Sequence, residues 1–322
     1  MLEKQDLLEA LETVRSVFPE TPMIFSHDLS ACLGRPIYLK LENLQVTGSF
    51  KVRGAMNCIA NLGSEQRSRG VITCSSGNHG RAVATVSKML GVAATICVPS
   101  WIDPLKLNAM KSTGAEIIVE GETYDEAEQI SRELGEQKNL VYVHPFDDLM
   151  VIAGQGTVAL EILSQLPQVG DILVPLSGGG LAGGIGWTFR EFSSGTNVIA
   201  VSAKQASVML ASVRKGLPIK MDEESTVASA LSGGIDLGNK HTFNLINETI
   251  DQHLVVDEEM ILNAMSYALK ELHLVVEGGG AVALAALLSE MLSDKESTLP
   301  LVVVVSGGNV ATKELLTRLN TL

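Results

Sequence analysis

The stretch Gly48-Ser49-Phe50-Lys51-Val52-Arg53-Gly54 joins two segments with different hydrophobic patterns. The preceding residues Ile37-Tyr38-Leu39-Lys40-Leu41 alternate as in a β-strand, whereas the apolar residues of 56–62 repeat at helical spacing. Lys51 is therefore predicted to lie at a strand-to-helix junction, in the first turn of the helix. The unpaired N–H groups of such a turn disfavour an ammonium, and the neutral amine is the form that Schiff-base chemistry requires. A single lysine at a helix start is ordinarily a solvated surface residue, so this interpretation depends on the rest of the chain.

Composition indicates a globular protein that works in a reducing compartment. The 322 residues are 46% hydrophobic and 19% charged, which allows one large domain or two. A net charge of −13 argues against nucleic acid and anionic membranes as partners. The first twenty residues are polar, and the longest apolar runs are too short to span a bilayer. We expect a cytoplasmic protein with no membrane association.

The cysteines favour neither disulfides nor a metal site. They lie far apart, with no CxxC pair and no paired histidine spacing: Cys32, Cys58, Cys74 and Cys97. This distribution predicts buried thiols, and no metal site is expected.

Strand-like runs alternate with helical patterns along nearly the whole chain. The predicted strands are 37–41, 71–75, 94–98, 116–119, 140–144, 171–175, 197–202 and 301–305. Amphipathic helices are predicted between most of them, among others at 104–111, 124–136 and 151–166. The alternation predicts an α/β protein with parallel sheets, in which ligands bind on the loops that follow the strands. The most loop-like interruption is 217–224.

The loop after the strand at 71–74 reads Ser75-Ser76-Gly77-Asn78-His79-Gly80 and leads into a helical segment. Small hydroxyls and glycine at a helix start bring several donors to one point, which suits a carboxylate. Ordinary helix capping by serine or asparagine is the alternative for this loop taken alone. A single histidine such as His79 is more often a packing residue than a ligand or base.

A glycine-rich loop, Ser177-Gly178-Gly179-Gly180-Leu181-Ala182-Gly183-Gly184, follows the strand at 171–175. Its glycines allow close approach of the backbone, and phosphate is the natural occupant of such a loop before a helix. The loop also satisfies GxGxxG, but the next strand ends in Ser202-Ala203-Lys204, with no acidic residue to hold a ribose. A purely structural glycine loop remains the alternative.

Two further segments complete the pattern. Ser306-Gly307-Gly308-Asn309 follows the last strand and is predicted to open the last helix, where the serine hydroxyl can bond a neutral ring nitrogen. Glu277 precedes another helix, either as a site carboxylate or as favourable charge near a helix start. A Schiff-base lysine, a phosphate loop, a carboxylate loop and a hydroxyl for a ring nitrogen together indicate a pyridoxal phosphate site that holds an amino acid.

With these motifs in order, the chain resembles the threonine dehydratase and serine racemase family of fold type II pyridoxal phosphate enzymes. The resemblance runs from Thr21-Pro22 through the segment 40–51 to Ser306-Gly307-Gly308-Asn309. It implies that Lys51 carries the Schiff base, with Ser76 as a second catalytic candidate. The cofactor-binding residues that it implies are Phe50, Lys51, Asn78, Gly178, Gly179, Gly180, Leu181, Glu277 and Ser306. The substrate-binding residues are Ser75, Ser76, Asn78 and His79.

The resemblance also implies a fold and a reaction. Two open parallel-sheet α/β domains of the tryptophan synthase β type are expected: a large one from 1–69 and 147–322, and a small inserted one from 70–146. The implied reaction is β-elimination, in which a β-hydroxy amino acid such as L-threonine or L-serine gives a 2-keto acid and ammonia. A homodimer is the expected assembly.

Departures from the family pattern leave alternatives open. The racemases hold a divalent cation at positions that read Ser202, Ala206 and Val208 here, so that metal site is not expected. Ser76 matches the second base of the racemases, which keeps racemisation open beside simple carboxylate binding. The segment 144–148, His-Pro-Phe-Asp-Asp, resembles the threonine dehydratases. Its two aspartates either face the substrate side chain or cap the helix at Val151, and capping is the favoured role.

A narrower similarity concerns the segments 228–235 and 274–281, which resemble dehydratases of hydroxylated diaminobutyrate derivatives in hydroxyectoine degradation. Other interpretations are a β-replacement synthase, a non-catalytic amino-acid sensor and a nicotinamide oxidoreductase. Intact Lys51 and Asn78 argue against the sensor, and the missing acidic ribose partner argues against the oxidoreductase.

Overall fold

A computed structural model of the protein describes residues 2–102, 104–292, 297–311 and 315–317. Its strands are β1 (Met23–Phe25), β2 (Ile37–Leu41), β3 (Val71–Cys74), β4 (Ala94–Val98), β5 (Glu116–Val119), β6 (Val141–Tyr142), β7 (Asp171–Pro175), β8 (Asn197–Ala203), β9 (Gln252–Val256) and β10 (Leu301–Val305). Its helices are α1 (Lys4–Arg15), α2 (His27–Leu33), α3 (Lys51–Ala60), α4 (Ser64–Arg69), α5 (Asn78–Leu90), α6 (Pro104–Lys111), α7 (Tyr124–Gln137), α8 (Leu149–Gln165), α9 (Gly180–Phe192), α10 (Val208–Lys215), α11 (Thr242–Thr249), α12 (Glu258–Lys270) and α13 (Gly278–Leu288).

The larger sheet has six strands in the order β1-β2-β10-β7-β8-β9. All of its neighbouring strands run parallel except β1, which pairs antiparallel with β2 at the edge. The apolar run Leu301–Val305 forms β10 and is buried throughout, as expected for a central parallel strand covered on both faces. This strand order places the carboxyl ends of β2, β10 and β7 side by side, and the predicted site loops follow these strands.

The smaller sheet is fully parallel, with four strands in the order β5-β4-β3-β6. All four strands come from one continuous stretch, residues 71–142, whereas the larger sheet draws its strands from both sides of that stretch. The α/β class with parallel-rich sheets is thereby confirmed. The exact boundaries of the predicted small domain, 70–146, stay a prediction.

Every predicted strand occurs, and the described residues contain two further strands that were not predicted. The strand expected at 140–144 is short, Val141–Tyr142, because the chain turns away at His144. The two unpredicted strands are β1, a three-residue edge strand, and β9, whose Gln252 and His253 interrupt the apolar pattern. The prediction that residues 306–309 open the last helix is wrong, because residues 306–311 leave β10 without helical structure. Residues 315–317 are helical, and 312–314 and 318–322 lie outside the described residues.

A buried cluster of charges fixes α3 against α8 and β2. Arg53 bonds both carboxylate oxygens of Glu42 and of Glu161, at 2.6–2.8 Å. Lys40 adds a bond to Glu161 at 2.7 Å, and all four side chains are almost completely buried. Because Arg53 lies two residues after Lys51, this ion network anchors the first turn of the helix that begins with Lys51.

The cysteine prediction needs one correction. Cys58, Cys74 and Cys97 are buried free thiols, but Cys32 is exposed because it lies on the solvent-facing side of the short surface helix α2. Among the described residues, no helix is long and apolar enough to cross a bilayer.

Candidate active site

Loops from both sheets line one cavity of about 270 Å³. It lies where the carboxyl ends of β2, β3, β6, β7 and β10 meet, as expected for parallel α/β sheets. The cavity wall contains every predicted site residue: Phe50, Lys51, Ser75, Ser76, Asn78, His79, Gly178, Gly179, Gly180, Leu181, Glu277 and Ser306. The structure thus brings these residues together, while the roles assigned to them stay predictions.

Lys51 is the first residue of α3, as predicted. Its Nζ donates to the carbonyl oxygen of Pro145 at 2.7 Å and lies 5.2 Å from the centre of the Phe50 ring. Removal of the amine from water lowers the pKa of Lys51 to about 8. From the sequence, the neutral amine of Lys51 was expected to result from the helix N-terminus. In the structure, burial is the cause of its lowered pKa.

His79 is a buried, neutral residue of the cavity wall. Its Nε2 lies 3.1 Å from the carbonyl oxygen of Val143, which can only accept, so Nε2 carries the proton. Burial, together with the nearby Lys51, lowers the pKa of His79 to about 3. The Nδ1 atom of His79 has no hydrogen-bond partner in the described part of the chain. His79 therefore adds no positive charge beside Lys51.

The Ser75–Gly77 loop leaves the N-terminus of α5 open to the cavity. The N-cap residue, Gly77, has no side chain that could accept from the first N–H groups of α5. Ser75 Oγ instead accepts from the backbone N–H of Gly77 at 3.2 Å, which closes the loop locally. A Cβ on Gly80 would crowd the carbonyl oxygen of Ser75, so glycine allows the loop to pack this tightly. Free N–H groups and hydroxyls at this position suit an anion such as a carboxylate.

The glycine-rich loop forms a second open helix N-terminus. Gly179, at φ +91°, is the N-cap of α9, in a backbone conformation that favours glycine. A Cβ on Gly178 would overlap the Phe146 ring, so this position also requires glycine. The first N–H groups of α9 have no side-chain cap and lie beside the cavity. This N-terminus therefore suits a phosphate.

A chain of hydrogen bonds fixes the amide of Asn78. Its Nδ2 donates to Glu277 Oε1 at 2.5 Å, and its Oδ1 accepts from Asn309 Nδ2 at 2.7 Å. Asn309 Oδ1 in turn accepts from Arg81 at 2.6 Å. The carboxylate of Glu277 is therefore hydrogen-bonded to the side chain of Asn78. Ser306 Oγ makes one long contact, 3.4 Å, with the carbonyl oxygen of Gly279.

Several residues of the cavity were not predicted as site residues. Pro145 contributes its backbone oxygen to the site. No sequence pattern predicts such a contact, although Pro145 follows a predicted strand. Trp101, Lys106 and Tyr124 line the wall from the smaller sheet, and residues 229–234 line it from the larger-sheet side. The glycine turn within 229–234 was the available signal for that loop.

The two adjacent aspartates cap different helices. Asp148 caps α8 through the N–H of Val151, as predicted. Asp147 does not cap α8; it accepts instead from the N–H groups at the start of α11. The residues described by the structure contain no cluster of three or more His, Cys, Asp or Glu side chains that could hold a metal ion.

Comparisons with known proteins agree with this geometry. The family model described as pyridoxal-phosphate dependent enzyme matches residues 14–307. An L-threonine ammonia-lyase of Thermotoga maritima is 38% identical over 311 residues, which cover 96% of this chain and 76% of that protein. Maize serine racemase superposes with a TM-score of 0.93 at 32% identity, covering 99% of this chain and 97% of that one. The processed threonine deaminase isoform 2 of Solanum lycopersicum gives 0.89 at 32% identity, with 99% and 94% covered.

Proposed function

The chain belongs to the pyridoxal-phosphate dependent enzyme family, and we propose that it converts a β-hydroxy amino acid such as L-threonine or L-serine to a 2-keto acid and ammonia. One observation carries the proposal: the buried amine of Lys51 shares a cavity with two uncapped helix N-termini, those of α5 and α9. A reactive amine, a phosphate site and a carboxylate site are what a pyridoxal phosphate lyase acting on amino acids requires.

The residues of the cavity fit pyridoxal phosphate. The N–H groups at the start of α9 would hold the phosphate, and the Lys51 amine would bond the aldehyde carbon. Asn78 would meet the phenolic oxygen, and the Ser306 hydroxyl would meet the ring nitrogen without adding charge. Phe50, beside the Lys51 amine, would pack against the ring. When bound, the cofactor supplies an electron sink for the pair released as the Cα–H bond breaks.

The substrate carboxylate would bind at the open N-terminus of α5. Ser75, Ser76, Asn78 and His79 lie at this end of the cavity, and the first backbone N–H groups of α5 are donors held by the helix rather than by mobile side chains. This contact orients Cα toward Lys51, the base that we assign to the proton on Cα. Orientation of this kind supplies a large part of the rate in such reactions.

Lys51 is suited to proton transfer because its pKa of about 8 keeps a substantial neutral fraction near neutral pH. The Pro145 carbonyl oxygen accepts one N–H of this amine and leaves its lone pair available. His79 and His144, whose pKa values burial lowers to about 3 and about 4, stay neutral and do not compete for the proton. The β-hydroxyl then leaves with a proton as water, in balance with the proton that Lys51 takes from Cα, and hydrolysis of the resulting enamine gives the 2-keto acid and ammonia.

Racemisation is the second candidate, and Ser76 favours it. The Ser76 side chain lines the cavity at the same loop that would hold the substrate carboxylate, where a hydroxyl could deliver a proton to Cα. Maize serine racemase also shares the fold over almost the entire chain. The racemase and the lyase differ in product, so one assay separates them.

The test is release of keto acid and ammonia from a panel of amino acids by the purified protein loaded with pyridoxal phosphate. The panel contains L- and D-serine, L-threonine, both 3-hydroxyaspartates and hydroxylated diaminobutyrates, with Lys51→Ala as the control. Keto acid from threonine or serine that is lost in Lys51→Ala supports the proposal. Release from the diamino acids alone would replace the substrate class with that of the narrower similarity. Conversion of L-serine to D-serine without keto acid would establish the racemase instead.

We further propose that the protein assembles as a homodimer in the cytoplasm. The family resemblance supports the dimer, and the absence of paired cysteines supports a reducing compartment. Light scattering coupled to size-exclusion chromatography tests the assembly, because a mass equal to a single chain would contradict the dimer.

A further inference from the structure

The connection from β6 to α8, residues 143–148, forms one wall of the cavity. Pro145 accepts the hydrogen bond from Lys51 at 2.7 Å. The ring of Phe146 fills the space where a Cβ of Gly178 would lie, and its backbone lies 3.0 Å from the position of a Cβ on Gly180. This connection therefore contacts both the reactive amine and the glycine-rich loop, so its position sets the distance between the two.

At its start, this connection is bonded to the smaller-sheet side: the carbonyl oxygen of Val143 accepts from Thr73 Oγ1 at 2.8 Å and from His79 Nε2 at 3.1 Å. The turn that follows is held by local contacts, and none of these hydrogen bonds reaches the glycine-rich loop. His144 Nδ1 accepts from the N–H groups of Phe146 and Asp147, at 3.2 and 2.8 Å. Asp148 accepts from Val151 and begins α8. Both contacts join residues that are neighbours in sequence. A bond to another element is needed to fix the turn relative to the glycine-rich loop.

Asp147 makes that bond through its carboxylate. Oδ2 accepts from the N–H of Lys240 at 2.7 Å, and Oδ1 accepts from the N–H groups of His241 and Thr242 at 2.9 and 2.8 Å. Of these residues, Thr242 is the first of α11 and His241 is its N-cap, which makes no side-chain cap. Asn239 Oδ1 accepts from the next N–H group, that of Phe243, at 2.9 Å. Burial raises the pKa of Asp147, but the three backbone bonds outweigh it and lower the pKa below its ordinary value. Asp147 therefore stays a carboxylate and caps a helix almost a hundred positions away in sequence.

Helix α11 in turn supports the glycine-rich loop. A Cβ on Gly179 would lie 3.0 Å from Thr242 Cβ, and one on Gly183 would lie 3.3 Å from Leu245 Cβ. The glycine face of α9 and one side of α11 are thus in direct contact. Asp147 joins the connection to α11, and α11 packs against α9. The Pro145 carbonyl, which accepts from Lys51, is therefore linked through α11 to the glycine-rich loop.

We infer that Asp147 is a positioning residue of the active site, which fixes the Pro145 carbonyl and the Phe146 ring relative to Lys51 and the glycine-rich loop by capping α11. This inference rests on the proposed function, because it assigns Asp147 a part in the reaction of Lys51. Asp147 does not line the cavity, whereas Pro145 and Phe146 do, so its effect passes through these two residues. Without it, the turn keeps its His144 contacts but loses its attachment to α11.

The test compares Asp147→Ala and Asp147→Asn with Asp257→Ala in the protein loaded with pyridoxal phosphate. Asp257 is a matched control, since its carboxylate caps α12 through the N–H of Met260 at 2.9 Å, at a helix that the cavity does not include. Four quantities are measured: the thermal midpoint, kcat and KM for the best substrate, and the midpoint of the pH titration of the visible absorption band of the bound cofactor without substrate.

We expect both alanine variants to lose thermal stability because each loses a helix cap, and the loss should be larger in Asp147→Ala, whose carboxylate accepts three backbone N–H bonds against one for Asp257. Asp147→Ala alone should lower kcat by about tenfold to a hundredfold with a smaller change in KM, since sub-ångström misplacement of a reacting group has effects of this size. Asp147→Asn, which retains one acceptor oxygen for His241 and Thr242, should restore kcat to within about threefold of the parent.

The absorption titration separates positioning from folding and does not depend on the substrate. Displacement of the Pro145 carbonyl removes the acceptor of Lys51 and disfavours a protonated nitrogen there, so the midpoint should fall in Asp147→Ala and stay unchanged in Asp257→Ala. The other titratable groups that line the same cavity are His79, Lys106, Tyr124, Glu223 and Glu277, all unchanged in these variants.

The inference is overturned if both Asp147 variants keep the parental kcat and absorption titration while only the thermal midpoint falls. That result would make Asp147 a helix cap and nothing more. If the parent releases keto acid from no substrate, the proposed function fails, whereas the absorption titration still decides the role of Asp147.

Discussion

Replacement of Glu161 by glutamine tests the buried charge network behind Lys51. Glu161 accepts from Lys40 at 2.7 Å and from two nitrogens of Arg53 at 2.6 and 2.8 Å, with only 1% of its side chain exposed. In Glu161→Gln two buried cations face Glu42 alone. Breaking a buried ion pair by removing one partner costs about 3–5 kcal/mol, because the remaining charge stays desolvated.

The expected change in melting temperature follows from the size of the chain. At about 2.1 cal/mol/K per residue, 322 residues give an unfolding entropy of about 0.7 kcal/mol/K, so the substitution should lower Tm by about 4–7 °C. Differential scanning fluorimetry at pH 7 measures this decrease in Tm. Glu191→Gln is the control: its partner Lys4 lies at the surface, where an ion pair is worth less than about 1 kcal/mol.

The buried Lys40 also determines how the stability of Glu161→Gln should change with pH. Burial lowers the pKa of Lys40, and Glu161 opposes that effect, so Glu161→Gln lowers the pKa of Lys40 further. The unfolded chain then binds more protons than the folded one, and the stability of the variant should rise with pH up to the ordinary pKa of lysine. Lys40→Met in the Glu161→Gln background should restore most of the lost Tm, because Arg53 and Glu42 then balance. A Tm loss no larger than that of Glu191→Gln, or no recovery with Lys40→Met, would refute the reasoning.

Two further predictions concern the cavity. Gly178→Ala should weaken cofactor binding by about tenfold or more, because the added Cβ overlaps the Phe146 ring and displaces the loop; equilibrium titration of the cofactor-free protein measures this, and unchanged affinity would contradict it. Burial lowers the pKa of Lys51 to about 8, so the rate at which the cofactor-free protein captures pyridoxal phosphate should rise about tenfold per pH unit below pH 8 and level off above it. A break near pH 10 in stopped-flow absorbance would show an unperturbed lysine instead.

Local pattern was sufficient for the elements that surround the site. The apolar runs of β2, β3, β7 and β10 and the glycine or serine residues after them are readable in the sequence, because parallel strands and helix starts have local signatures. Those strands also share one edge of their sheets by the rules of α/β topology. The site residues therefore met in one cavity as predicted.

Contacts between residues that are far apart in sequence could not be predicted from local pattern. Asp147 has the ordinary features of a cap for the helix that follows it, and nothing local indicates that it caps α11 instead. Likewise, Pro145 reaches Lys51 through a backbone oxygen, which every residue type possesses. The neutral state of His79 depends on burial that only the packed structure provides.

Reduction of the protein loaded with pyridoxal phosphate, followed by peptide mass spectrometry, tests the central claim most directly. Borohydride fixes the cofactor on the lysine to which it is bonded, and the described residues that line the cavity include two lysines, Lys51 and Lys106. We predict the pyridoxyl mass on Lys51, with none on Lys106 and none at either position in Lys51→Ala. Modification of Lys106 in the parent, or no modification of either residue, would contradict the assignment of Lys51 as the reactive amine.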